Sequence, residues 1–261
     1  MASKPGAMAR VRTAVSRHDG LAQLGVVLAG VGAYEAMRLA VRPDWPLALD
    51  HARLIAAWER AAGLAWEAPL QRALLGHPGV IEALNLFYLF AHFAVTGLFF
   101  LWLYRRSRPG FRLFRNGFLL ATAIAFLIAW RFPTAPPRVA GLGLEDTLRR
   151  FSDIDIGSPG SAGLSDPVAA IPSLHAGWAF GVASGVAVFA RPLLVRVAAF
   201  LYPAAAVIAI LATGNHFVVD ALAGVLVMTV GFALVSLPAG ARVVASWLRR
   251  GVEQSGSSPG S

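Results

Sequence analysis

Apolar residues run along this chain in stretches of about 20, the length at which an α-helix crosses the hydrocarbon core of a bilayer. No water is there to satisfy backbone N–H and C=O groups, so each run must close its hydrogen bonds internally, as helix. Composition agrees: 57% of the 261 residues are hydrophobic and 14% are charged, where soluble domains carry about a quarter charged. The expected fold is all-α, a polytopic membrane protein. It has six transmembrane helices in one bundle, with interfacial amphipathic helices between the first two spans. The chain has no cysteine, so neither a disulfide framework nor a thiolate metal site is available. The formal net charge of +9 does not imply nucleic acid as a partner. The basic residues gather at span ends, as cytoplasmic flanks do.

Residues 1–19 are polar and basic (Lys4, Arg10, Arg12, Arg17) and read as a cytoplasmic N-terminus. No small-residue cleavage site clearly follows the first apolar run, as a signal peptide requires. The membrane domain is expected over residues 20–240, with outer loops at 42–79 and 131–172. Residues 241–261 are expected to be a disordered cytoplasmic tail, Gly/Ser-rich from Gln254. Leu21–Ala40 is the first span, with Glu35 and Arg38 spaced to pair on one face. Arg42 to Gly79 mixes acids and bases with Trp45, Trp58 and Trp66. That pattern suits amphipathic helices on the bilayer surface, tryptophans at headgroup level. His51 and His77 are expected to be exposed loop residues.

The second span, Val80–Tyr104, carries Asn85, Tyr88 and His92, whose spacing of three and four makes one polar stripe. Polar groups at this depth face the bundle interior. They serve there either as interhelical hydrogen bonds or as the lining of a substrate pocket. The third span runs from near Phe111 to Trp130, and Pro133, Pro136 and Pro137 stop it. Gly141 to Ile171 is a Gly/Ser/Pro-rich loop with a short helical piece around Leu144 to Phe151. Loops this long often act as lids or substrate walls. Leu174–Ala190, Val197–Ala212 and His216–Leu237 complete the spans.

Charge sets the orientation. Lys4–Arg17, Arg105–Arg115, Arg191–Arg196 and Arg242–Arg250 all fall on one side of such a bundle, and Arg105–Arg115 holds five arginines and no acid. That side is cytoplasmic, with both termini, in a bacterial-type plasma membrane. The outer segment 131–172 has four arginines and five acids, so no basic bias. His175 and His216 then share the outer level, each at the start of a span.

Two short stretches carry the chemistry: Pro172-Ser173-Leu174-His175 and Asn215-His216-Phe217-Val218-Val219-Asp220. On a helix, His216 and Asp220 share one face about 6 Å apart along the axis. A carboxylate there accepts a proton from one imidazole nitrogen and leaves the other bare and nucleophilic. Ser173 can cap the fourth span and donate to a phosphate oxygen. Helix starts favour anions, and Arg131, Arg138 and Asn215 offer further donors near them. A nucleophile, an orienting carboxylate, a second imidazole and anion clamps fit phosphoryl transfer through a phosphohistidine.

At these residues the chain resembles the type 2 phosphatidic acid phosphatase superfamily. Pro172-Ser173-Leu174-His175 is similar to its second motif, PSGH, with Leu174 in place of Gly. His216 and Asp220 match the HxxxD of its third motif, SRxxxxxHxxxD, with Gly224 at the family's spacing and Ile210 where the motif has arginine. Arg131 and Arg138 keep the spacing of its first motif, KxxxxxxRP, with Arg131 for lysine and Val139 for proline. The resemblance implies His216 as nucleophile, Asp220 as its orienting group and His175 as proton donor to the leaving group. Pro133 to Arg138, the Ser-Leu-His motif and Thr213 to His216 look like the branch containing inositol phosphorylceramide synthases.

The expected function is therefore a lipid-phosphate phosphatase or phosphotransferase acting at the outer membrane face without a cofactor. Its substrate would be a phospholipid, isoprenoid or sphingolipid-type phosphate ester in the bilayer, and its acceptor water or an alcohol such as inositol. Arg138 is the first choice for the phosphate clamp, before Arg131. Two readings from other classes stay open: a metal site made of His175, His216 and Asp220, and a non-enzymatic transporter or scaffold.

Overall fold

The structure is a computed structural model that describes residues 20–30, 32–33, 35–36, 44–156 and 168–255, with side chains described as far as residue 237. The chain divides into two units, Met1–Arg42 and Pro43–Ser261. The first contains the apolar helix α1 (Gly20–Gly30). The expected Glu35–Arg38 pair lies outside the described residues, because Arg38 is not among them.

Helix α2 (Trp45–Ala62) starts where Asp44 accepts a hydrogen bond from the Leu47 amide at 3.1 Å, and ends at Gly63 with φ 70°. That φ is open to glycine at no steric cost. The buried face of α2 is Ala48, Ala52, Ile55, Ala56 and Glu59; the shorter α3 (Glu67–Leu75) buries Glu67 and Gln71. Trp58 and Trp66 remain exposed. Both helices are amphipathic as expected, but their inner faces carry two carboxylates. His51 is not a loop residue: it lies on α2, stacks on Phe132 with ring centroids 3.7 Å apart and donates from Nδ1 to the Pro133 carbonyl at 2.7 Å.

Next come α4 (Pro78–Leu86), a π-helical turn (Phe87–Ala91) and α5 (His92–Arg106), which run on as one stretch, Pro78–Arg106. α6 (Arg108–Arg131) follows at once, its first turn capped by Ser107. A loop with a 3₁₀ turn (Pro137–Val139) and α7 (Thr147–Ser152) leads to α8 (Leu174–Phe189). α9 (Leu193–Ala198) and α10 (Leu201–Ala212) form a second continuous stretch, and α11 (Val218–Ser255) is last. α11 stays helical to Ser255, where a disordered tail was expected from residue 241.

Four stretches are long and apolar enough to cross a membrane: Pro78–Arg106, Arg108–Arg131, Leu193–Ala212 and Val218–Leu237. α8 has 16 residues, about 24 Å at 1.5 Å each, less than the ~30 Å hydrocarbon core. The six expected spans thus become, among the described residues, four of full length and two shorter apolar helices, α1 and α8. No strand occurs among the described residues, only an isolated parallel bridge between Thr134 and Ala169.

Phenylalanines from α5 and α6 (Phe99, Phe111, Phe114, Phe118) and Val182, Val227 and Met228 from α8 and α11 form the main core. A second core joins α2 to the loop through Ile55, Ala135, Val168 and Phe217. One crossing positions the site. A Cβ on Gly224 of α11 would lie 2.0 Å from the Ser173 carbonyl oxygen, and one on Gly177 of α8 would lie 2.6 Å from the Gly224 carbonyl oxygen. Small residues let helix backbones touch in this way, and here they bring the first turns of α8 and α11 together.

Candidate active site

Ser173 is the N-cap of α8 and its Oγ accepts from the Ala176 amide at 3.4 Å. Its own amide donates to the Asp220 carbonyl at 2.9 Å. The start of α8 is therefore tied directly to the first turn of α11. His175, one residue into the helix proper, is half-buried.

His216 is not on a helix. It stands in the turn between α10 and α11, two residues before the helix begins at Val218. Its partnership with Asp220 survives, because Asp220 projects back from the first turn. Oδ2 of Asp220 accepts the Phe217 amide at 2.9 Å and lies 3.4 Å from Nδ1 of His216. The nearer acceptor for Nδ1 is the carbonyl oxygen of Ala170, at 2.8 Å. Sequence reasoning had no signal for this carbonyl, which comes from the strand-like segment paired with Thr134. Both acceptors require the proton on Nδ1, so Nε2 carries the free lone pair.

The two imidazoles stand with ring centroids 6.0 Å apart, tilted by 54°. His175 stacks on Tyr88 at 4.2 Å, and its Nε2 donates to the Tyr88 carbonyl at 3.2 Å. His92 lies 4.6 Å from His175, and its Nδ1 is 2.9 Å from the Tyr202 hydroxyl. The expected stripe thus divides. Tyr88 and His92 flank the second imidazole, while Asn85 holds the loop, exchanging hydrogen bonds with Thr147 at 2.9 Å and donating to Ser152.

The buried Arg138 donates through Nε to Asn215 Oδ1 at 2.9 Å and through a terminal nitrogen to Asp146 at 2.7 Å. Asn215 therefore links Arg138 to the turn that carries His216, and Asp146, not singled out in the sequence, balances its charge. Arg131 is exposed at the end of α6, and no hydrogen bond or ion pair joins it to this cluster among the described residues. Of the two arginines the structure brings only Arg138 to the histidines' neighbourhood.

A family model described as the PAP2 superfamily matches residues 53–234, well over half of the chain. The chain belongs to the PAP2 superfamily. No curated protein and no solved structure matches it. Members of the PAP2 superfamily are phosphatases or phosphotransferases that act on lipid phosphate esters, and the matched span holds every residue of the cluster described above.

The expectation that the start of α11 is open to an anion meets a correction. Three successive amides are already filled: Phe217 by Asp220 Oδ2, Val218 by Glu67 Oε1 at 2.8 Å, and Val219 by Glu59 Oε1 at 2.7 Å. In this PAP2 superfamily chain the α11 dipole is answered by the protein's own acids. Glu59 and Glu67 belong to the stretch expected to form amphipathic helices on the bilayer surface. No group of three or more His, Cys, Asp or Glu residues is arranged to hold a metal ion among the described residues.

Proposed function

We propose that the protein is a membrane lipid-phosphate phosphatase or phosphotransferase working through a phosphohistidine on His216. One observation carries the reading: an imidazole with its Nδ1 proton held by Ala170 and Asp220, and a second imidazole, on α8, with its ring centroid 6.0 Å away. Nε2 of His216 attacks phosphorus, the ester P–O bond breaks, and the departing alkoxide takes a proton from His175. As the ring gains positive charge, Asp220 stabilises it. The Tyr88 carbonyl keeps the Nε2 proton of His175 in place, leaving Nδ1 to carry the mobile proton. Water or an alcohol then attacks the phosphohistidine and gives its proton to His175, and His216 is released unchanged. Arg138 neutralises phosphate charge through donors that Asn215 and Asp146 do not occupy.

The site works at the outer face of a bacterial-type plasma membrane, with both termini cytoplasmic. The support is charge: the arginine-rich turns at 105–108 and 191–196 lie at the ends of α5 and α8 remote from the histidines. The likeness to inositol phosphorylceramide synthases favours an alcohol acceptor such as inositol.

Purified protein given radiolabelled lipid phosphates, with and without inositol or glycerol, tests this. Free phosphate alone identifies the phosphatase, and a new phosphodiester identifies the phosphotransferase. Acid-labile label should be trapped on the wild type and not on His216→Ala. Equal labelling of both overturns the phosphohistidine.

A further inference from the structure

Glu59 is 1% exposed and Glu67 4% exposed, on two different helices, and each spends one oxygen on an α11 amide. Glu59 Oε2 is also buried and has no hydrogen-bond donor facing it. The charged groups facing Glu59 are Glu67 of α3 and Asp220 of α11, and both are acids. Two ionised carboxylates side by side in a buried site repel strongly, whereas one shared proton satisfies both. We infer that Glu59 and Glu67 form a proton-sharing carboxyl pair that fixes the start of α11, and so act as positioning residues for Asp220 and His216. The inference rests on the proposed role of His216.

The geometry gives the pair a specific task. Val218 and Val219 follow His216 by two and three residues, and Asp220 comes next. Fixing their amides sets the direction in which α11 leaves the nucleophile turn. It also sets where Asp220 meets Nδ1. The proton has a second effect: it leaves one negative charge instead of two near a site proposed to bind an anion. Burial, and next the neighbouring Glu67 carboxyl, raise the Glu59 carboxyl from 4.5 to about 8. The pair therefore keeps its proton through neutral pH and loses it on the alkaline side.

The test uses the full chain in detergent, dioctanoyl phosphatidate as substrate, and amide hydrogen exchange over residues 214–222, a readout independent of activity. Glu59→Ala should speed exchange at 217–219 at least tenfold and lower kcat at least thirtyfold with KM changed less than threefold. In Glu59→Gln the side-chain oxygen still accepts from Val219 and its N–H replaces the shared proton. That variant should restore both quantities to within about threefold at pH 7. It should also abolish the acceleration of exchange, beyond its intrinsic pH dependence, that the wild type shows above pH 8. Should Glu59→Ala not fold, the Glu59→Gln pH profile decides alone. Exchange in Glu59→Gln that follows the wild type at every pH overturns the shared proton. Exchange at 217–219 unaltered in Glu59→Ala overturns the clamp. A wild type that protects 217–219 in this pH-dependent way but forms no acid-labile phosphoenzyme sinks the proposed reaction and leaves the pair standing.

Discussion

His216 Nδ1 has two acceptors, and the nearer is a backbone carbonyl. Removing the carboxylate therefore does not release the ring. Asp220→Asn should lower kcat by about 10²- to 10³-fold, less than the ~10⁴ expected where a carboxylate alone orients the histidine. His216→Ala should abolish turnover and phosphoenzyme alike, as rapid-quench trapping would show. At this scale the pairing of residues was legible in the sequence and its geometry was not. The HxxxD spacing paired His216 with Asp220, yet it placed both on one helix. The Ala170 carbonyl left no trace in the sequence, because a backbone oxygen has no residue type. Glu59 and Glu67 were legible only as charges on amphipathic helices, since period alone cannot tell a buried acid from an exposed one.

Gly177 and Gly224 show the same limit between helices. Gly224 was noticed for its spacing after Asp220; that its Cα lies against the Ser173 carbonyl needed coordinates. Gly224→Ala should cost about 2 kcal/mol through overpacking and separate the two histidines. Both effects are measurable, as a lower melting temperature in detergent and as lost activity. The π-helical turn at Phe87–Ala91 explains why the Asn85, Tyr88, His92 stripe does not act as one surface. An added residue per turn shifts the register between its members. Asn85 is the loop's anchor, and Asn85→Ala leaves the buried Thr147 hydroxyl without that partner. The expected loss is about 1–3 kcal/mol, read by the same melting assay, with faster proteolysis around α7.

For the molecule as a whole, hydropathy gave the helical class directly, and span count less well. Length is what a hydropathic run reports, and α8 begins only at its Ser173 cap and ends at Phe189. Orientation rests on charge, and the absence of cysteine makes it easy to test. Arg149→Cys should react with a membrane-impermeant maleimide on intact cells, and Arg106→Cys only after permeabilisation. Stability should also depend on pH. The folded chain holds a proton on Glu59 to about pH 8, whereas the unfolded chain releases it near 4.5. That contribution is full below pH 4.5 and lost progressively as pH rises to 8. Melting temperatures of wild type and Glu59→Gln across pH 5–9 check it: the wild-type curve should fall more steeply.

The main-chain contact between α8 and α11 has one more consequence. With no side chains between them at the crossing and the Ser173 amide bonded to the Asp220 carbonyl, a shift of either helix start should carry the other with it. Adaptation to a bulkier lipid is therefore expected away from the crossing. Selection for new substrates should gather its changes in the loop at 131–156 and spare the contacts among Ser173, Gly177 and Gly224.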